Sequence, residues 1–427
     1  MAHVLRSPFD LSRFSICFLL CLTWALPAIA QTPGCTDPPA SNFNPGATVN
    51  DGSCVYPNAT VTPISNFALP VFLNESSGLV CDGDSVWTHN DNSDVQLYRI
   101  SKNDTVGMAA FPVTGVSNVD WEDMASDNNY FYVGDFGNNS NGARTDLRIL
   151  RIEKQSLLSG SPVVDTIWFS YSDQVPVVST GPNNTDFDCE AMVVTQDSML
   201  LFSKMWVTQK TTVYSLPKVP GTHVANRKFQ LEVQGLVTGA TLVDSLDVVV
   251  LIGYSSVLQP FLYLLYDYPD YDFLAGNKRK LALNLPFHQV EGIGTGDGLI
   301  YHCTNERFTQ SVITTEQKMH RLDLTAFLGQ YLTTSVAPVD PSNSETLQVY
   351  PNPSNGIFQI RASDRRTSSN SYQLRVFDFT GAVVFSDHWI HLDGAFQLDL
   401  SSLSKGIYLL QLTSEETEGY SQKVVVQ

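Results

Sequence analysis

Residues 119–138 read VDWEDMASDNNYFYVGDFGN. Asp120, Glu122 and Asp135 stand at the ends of two short strand-like runs, WEDMA and YFYVGD, joined by a polar turn. Echoes of this hairpin recur along the chain. Glu75 in NESSGLV, Glu190 in FDCEAMV and Glu291 in QVEGIGT each open a similar run, and VTGAT at Val237–Thr241 holds the same place without an acid. After each opening comes a turn and a β-rich run with a polar or charged tip: Asp91, Asp135, Lys204, Tyr254 and Glu306. A third run, VQLYRI, LRILRI, TVYSL or FLYLLY, follows in most units, and usually a fourth.

Four short strands repeated at about fifty-residue spacing predict a β-propeller, because one such sheet cannot bury both faces alone and a ring of them can. The expected fold is all-β, with a propeller over residues 61–332. Five blades are counted, or six if the Gly/Asn-rich insertion Gly137–Gly142 conceals a degenerate one. The fifth blade, from Gln289 to about Phe327, is short of a strand. Residues near Val61–Val71 are expected to supply it and close the ring without a free edge.

Composition narrows the function. The 427 residues carry 43 acidic and 25 basic side chains, a net charge of −18 that disfavours a nucleic-acid partner and favours cations or simple solubility. Residues 1–30 read as a secretory signal peptide: Arg6 and Arg13 precede the apolar run Phe14–Ala25, and Ala28-Ile29-Ala30 gives a small-x-small cleavage pattern before Gln31. That run is shorter than the roughly 20 residues of a membrane span, and no later segment qualifies, so no span is expected in the mature chain. The Asn-x-Ser/Thr triplets at Asn58, Asn74, Asn103, Asn138 and Asn183 are, in a chain of bacterial source, incidental to the Asn- and Thr-rich composition.

Removal of Cys17 and Cys21 with the signal leaves Cys35, Cys54, Cys81, Cys189 and Cys303 in an oxidising compartment. Cys35 and Cys54 bracket a run too poor in apolar residues for a core, where a disulfide would contribute roughly 3 kcal/mol. Cys81 and Cys303 fall in the first and last units, which closure would make neighbours, so a bridge there is open. Cys189 reads as a buried structural thiol. The segment Gly34–Tyr56 resembles the Cys-bracketed, Asp/Asn-rich repeats, similar to thrombospondin type 3 calcium repeats, of exported Bacteroidetes proteins. That resemblance makes Asp37, Asn42, Asn44 and Asp51 candidate calcium ligands; the alternative is that they only form Asx turns.

In a propeller the first strand of each blade lines the channel. Glu75, Glu122, Glu190 and Glu291, with Asp120 and Asp188, are therefore expected to converge, with Asn90, Asp91, Asp135, Asn305 and Glu306 at the tips of the second strands. Several carboxylates in a low-dielectric funnel need a cation, a basic side chain or raised pKa values. Calcium suits an all-oxygen set, while Lys204 and Arg144 are alternative counter-charges. Capping of inter-blade turns by these acids is the plainer alternative. The order ESSGL, WTHND, DWEDMA, YVGDFGNN, Arg144, DFDCEAM, LFSK, VYSL, VTGA, QVEGI and TNE resembles a group of exported bacterial propellers distantly similar to SdiA-regulated and esterase-like phytase propellers. The resemblance implies a site built from these acids. Two functions follow as expectations: a calcium-stabilised module binding an extracellular ligand or glycan, or a calcium-dependent hydrolase of phosphoesters or lactones. The second would use Glu122 or Glu190 as general base and Lys204 or Arg144 to bind an anion. His89, His288 and His302 form no metal-binding spacing, and there is no GxSxG, P-loop or GxGxxG motif.

The Ser/Thr/Pro-rich stretch 333–346 reads as a linker. Beyond it Tyr350-Pro351-Asn352-Pro353 with Gly356, Val376-Phe377-Asp378 with Gly381, Lys405-Gly406-Ile407-Tyr408 and the terminal Lys423–Val426 look like the type A C-terminal sorting domain of the type IX secretion system, over residues 347–427. An Ig-like β-sandwich is expected there. The resemblance implies the secretion machinery and its sortase as partners, surface lipopolysaccharide as an attachment point, and a secreted or outer-membrane-surface location.

Overall fold

The computed structural model describes residues 31–310, 313–334, 347–362, 371–378, 382–391, 396–413 and 420–427. The expected signal peptide, most of the linker (335–346) and Gly381 lie outside them.

Among the described residues the chain forms five antiparallel meanders. The first is Ser76–Asp82, Ser85–Asn90, Gln96–Ser101 and Ala109–Pro112; the second is Trp121–Ser126, Tyr130–Asp135, Arg148–Glu153 and Val164–Tyr171. Asp188–Val194, Ser198–Lys204, Thr211–Pro217 and Gly221–Leu231 make the third, and Leu236–Val243, Val248–Tyr254, Pro260–Tyr266 and Asn277–Leu283 the fourth. In the fifth, Val290–Thr295, Ile300–Asn305 and Lys318–Asp323 are completed by Ser65–Ala68 from the other end of the chain. The first strands pack against one another in cyclic order, the fifth returning to the first, which is the arrangement of a propeller. Every residue of Val248–Tyr254 and Pro260–Tyr266 is buried, as expected of strands covered on both faces.

Closure differs from expectation in one respect. Ser65–Ala68 pairs with Lys318–Asp323, but Val61 belongs to a two-residue strand, Thr60–Val61, running parallel to Asn277–Leu283 of the fourth meander. The insertion at Gly137–Gly142 contains no strand. The second and third meanders instead join through their outer strands, Ile167 lying opposite Gly221 in parallel register.

Cys35 and Cys54 are bonded, and their loop is not a free module. Asp37 accepts hydrogen bonds from Tyr56 (2.6 Å) and from Tyr266 (2.7 Å) of the fourth meander. Asn50 donates to Asp267 (2.8 Å) and Asn277 (2.9 Å), and Arg279 lies 4.9 Å over the Tyr56 ring. Gly52 has φ +73°, and a Cβ there would meet the Leu274 carbonyl at 1.9 Å, so only glycine permits this approach. The loop thus covers the outer edge of a sheet that would otherwise be open. Replacing both cysteines by serine is expected to cost about 3 kcal/mol in urea unfolding; an unchanged midpoint would show that docking alone holds the loop.

A helix absent from the sequence reading, Thr325–Thr334, packs Leu328 and Leu332 into the core of the fourth and fifth meanders. Cys81, Cys189 and Cys303 are free thiols. Cys81 and Cys303 do not pair because side chains alternate along a strand: His302 faces Cys81, with 4.0 Å between Nδ1 and Sγ, so Cys303 points the other way into the core.

The C-terminal region forms two sheets, Leu347–Tyr350, Ile357–Ala362 and Phe396–Asp399 against Val383–His391, Ser371–Phe377, Gly406–Thr413 and Tyr420–Val426. Phe358, Ile360, Leu374, Val376, Leu410 and Val424 fill the space between them. Asn352 of the Tyr350–Pro353 stretch donates to the Lys423 carbonyl (2.7 Å) and accepts from the Val425 N–H (2.9 Å), pinning the last strand. Gly356, at φ +103°, lets the turn approach Ser401, and the Tyr408 hydroxyl donates to the Ser404 carbonyl.

Candidate functional site: an acidic channel mouth

In each first strand the ladder to the second strand slips near the channel: between Ser77 and Leu79, opposite Gly134 and Asp135, between Cys189 and Ala191, between Val237 and Gly239, and between Val290 and Ile293. A β-bulge frees a residue from the ladder and re-aims its side chain. The residues freed are Gly78, Glu122, Glu190, Thr238 and the pair Glu291-Gly292. Glu122, Glu190 and Glu291 therefore correspond, as expected. Glu75 does not share their place. It immediately precedes its strand, as Asp120 precedes the second, while the Ser77 hydroxyl reaches across to the Glu122 carbonyl.

The acids fall into three groups. Asp135 is fully buried and neutralised by Arg144 (3.0 Å) and Arg148 (2.8 Å), and its carboxylate also accepts the Asp120 N–H. Asp188 accepts from the Asn138 N–H (2.6 Å) and the Trp206 indole (2.7 Å). Both are thus committed within the protein. Around Lys204 lie Glu190, whose Oε2 is 3.0 Å from Nζ, and Glu291; the ammonium also sits 4.8 Å from the Trp206 ring and 5.3 Å from that of Tyr254. To this second group belong Asp120 and Glu122, which feel Glu190 and converge on Gly137, where a Cβ would come within 2.4 Å of both carboxylates.

The third group is Glu75, Asp91 and Glu306, with one oxygen from each lying within 4.8 Å of the others. Three loops bring them together. Asp91 N–H donates to the Glu75 carbonyl (3.0 Å), Arg307 N–H to the Asn74 carbonyl (2.7 Å), and Glu306 N–H to the Gln289 carbonyl (3.1 Å). Beside them Asn90 uses its amide N–H groups on Phe72 and Asp94 and leaves Oδ1 without a partner; Glu190 Oε1 and Glu291 Oε2 are likewise buried and unpaired. Asn305 is held by His320 and two backbone carbonyls and serves as a brace.

Burial dominates the electrostatics. It raises Asp120 to about 6, with Asp188 adding to the effect; Asp91 to about 7, with Glu75 adding; and Glu306 to about 8, with Asp91 adding. Burial also holds Glu122, Asp188 and Glu291 well above the carboxylate range, and raises Glu190 less because Lys204 opposes it. Lys204 remains charged: burial works against it most strongly, but Glu190, Tyr254, Glu291 and Asp188 together more than compensate. Because these carboxyls hold protons in the folded state that the unfolded chain releases, their stabilisation is complete below the ordinary carboxylate pKa and is lost as pH rises to about 8. The ion-free chain is therefore expected to melt higher at about pH 5 than at about pH 9; the opposite order in calorimetry would contradict the buried acidic mouth.

The N-terminal candidates are engaged in local bonds. Asn42 bonds Ser53 and Val55, Asn44 accepts from the Gly46 N–H, Asp51 accepts from the Ser53 N–H, and Asp37 holds the two tyrosines. His89 is buried edge-on against Trp121, and His288 packs against His320. Sequence reading missed Asp123. Fully buried, it accepts backbone N–H bonds from Met124 (2.8 Å) and Met192 (2.7 Å), with Ala240 as a third donor, tying the first strands of three meanders. Its only sequence signal is an acid directly after Glu122, on the opposite face of an otherwise apolar strand.

Residues 348–427 match the secretion system C-terminal sorting domain. Over 83 residues the chain is 35% identical to a beta-agarase D of Zobellia galactanivorans, a match spanning 19% of this chain and 15% of that protein. Among solved structures, one of a Dyadobacter fermentans protein of unknown function covers 62% of this chain and 99% of its own, at 8% identity and a TM-score of 0.34. A Bombyx mori GH32 beta-fructofuranosidase covers 86% and 87% respectively, at 9% identity and 0.33. No helix among the described residues is long and apolar enough to cross a membrane. The chain carries a type IX secretion sorting domain and is a secreted or surface-attached protein handled by that machinery.

Proposed function

We propose that the exported chain presents a five-bladed propeller as a calcium-stabilised module for an extracellular ligand of glycan type. The observation that carries the ion is the convergence of Glu75, Asp91 and Glu306, on three separate loops. Calcium takes six to eight oxygens in flexible geometry, which three carboxylates can begin to supply, and it would offset the acid excess that Lys204 alone does not. Its role in this reading is structural, fixing the loops that carry the rim. Phe72, 50% exposed and next to Asn90, and Phe287, 47% exposed beside the start of the fifth meander, supply apolar faces there.

The hydrolase reading is favoured less. Glu122, Glu190 and Glu291 are 5%, 2% and 7% exposed, and Arg144 is committed to Asp135 and Asp146, so neither base nor anion-binding group is open to substrate. The distant likeness to SdiA-regulated and esterase-like phytase propellers belongs to the same proposal, as do the calcium-repeat likeness of Gly34–Tyr56, removal of the sorting domain by a sortase and attachment to lipopolysaccharide. A glycan array probed with the mature chain tests the binding reading. Retention that needs calcium and is lost on Phe72→Ala is expected. Turnover of phosphoesters or lactones that is abolished by Glu190→Gln would replace it with the hydrolase.

A further inference from the structure

A cavity of 230 Å³ opens where the ring closes, at the opposite end of the strands from the acidic mouth. One wall is the fifth meander: Ile300 and His302 lie two apart on one face of their strand, and Arg321 is the cross-strand partner of His302. The other wall is the turn after Gln96–Ser101, with Lys102 and Asn103. Gly296 and Asp297, from the turn before Ile300–Asn305, complete the lining.

Charge here runs against the rest of the molecule. In a chain of net charge −18, Lys102 and Arg321 face one cavity, and neither forms an ion pair among the described residues. Lys102 Nζ donates to the Gly83 carbonyl. The lining acid, Asp297, is occupied in its turn, accepting the N–H groups of Leu299 (2.9 Å) and Ile300 (2.7 Å). His302 is 5% exposed, and its Nε2 lies toward the Lys102 backbone without a hydrogen bond of ordinary geometry. Behind it stands the Cys81 thiol.

We propose that this cavity binds a small anion bearing a carboxylate or phosphate group, held by the Arg321 guanidinium and the Lys102 ammonium, with the Asn103 amide as a neutral donor. The planar guanidinium fork matches two oxygens of either group. Burial, then the charges of Lys102 and Arg321, push His302 down to about 4, so at neutral pH it lines the cavity as an uncharged wall. Burial pushes the Cys81 thiol up to about 12, so no thiolate repels an anion. The volume equals that of about eight waters in the liquid, room for a small dicarboxylate or a phosphate head but not for a polymer strand. The site is independent of calcium at the other end of the ring.

Calorimetric titration of the mature chain, in chelator at ionic strength matched with chloride, tests this with inorganic phosphate in one arm and succinate in the other. Saturable binding of at least one is expected, and the arm that binds identifies the ligand class. Arg321→Gln and Lys102→Gln should each weaken binding about ten- to hundredfold, the effect of losing one charge-assisted hydrogen bond. Glu306→Gln should leave it unchanged. Arg321 and Lys102 are half-buried on separate walls, so an unshifted melting temperature in chloride for either variant certifies its fold. No saturable binding in either arm, or binding that survives both substitutions, overturns the proposal.

Discussion

Lys204→Met is expected to lower the unfolding free energy by about 3–5 kcal/mol, the usual consequence of stripping the partner from a buried charge. Lys204 and Glu190 are 5% and 2% exposed in their side chains and 3.0 Å apart, so water cannot replace the lost ammonium. Glu291 and Asp188 feel the same cation and would lose its field as well. The double substitution Lys204→Met with Glu190→Gln should recover part of the loss, because it removes the orphaned charge along with its partner. Urea unfolding of the two variants beside the unaltered chain reads this directly. A loss below about 1 kcal/mol for the single variant, the size of an exposed pair, would contradict the buried pairing.

Asp123→Ala is expected to be nearly as costly. It leaves the Met124 and Met192 N–H groups, and the Ala240 donor, buried without their acceptor at about 1–3 kcal/mol each. These donors lie on three first strands, so the variant should loosen the ring as a whole, with amide hydrogen exchange accelerating at Met192 as well as at Met124. Asp123→Asn keeps one acceptor oxygen and should fall between the two. Exchange that accelerates only beside residue 123 would show that the carboxylate is a local cap.

These effects separate what is legible in the sequence from what is not. The meanders were legible because each carries its own β-rich runs and turn, and the second strands ending at Asp135, Lys204 and Tyr254 lie as read. The supply of a strand from the N-terminal side was legible from a count, since the fifth unit lacked one. Register was not. NESSGLV was aligned on its acid, whereas the structure aligns it on the glycine that enters the bulge, and only cross-strand pairing distinguishes the two. Glu75 thereby moves from the company of Glu122 to that of Asp91, in its own meander, and of Glu306 in the fifth. Docking of the disulfide loop was equally hidden. Asp37 looks like a metal ligand in a polar repeat and Asn50 carries no signal at all, and only Tyr266, Asp267 and Asn277 reveal both as contacts that cover a sheet edge.

The docked loop must be present when the acidic mouth is tested, so the chain from residue 31 onward is used, since a fragment beginning at Val61 would uncover the fourth meander. The direct measurement is a calorimetric calcium titration of that chain after chelation, repeated with Glu306→Gln and with Asp37→Asn. One calcium per chain is predicted, with affinity reduced about tenfold or more by Glu306→Gln, unaffected by Asp37→Asn, and accompanied by a higher melting temperature that grows from pH 6 to pH 8 as the ion displaces protons from Asp91 and Glu306. Absence of binding, or binding indifferent to Glu306→Gln, would contradict the account and leave the three carboxylates as protonated braces of their loops.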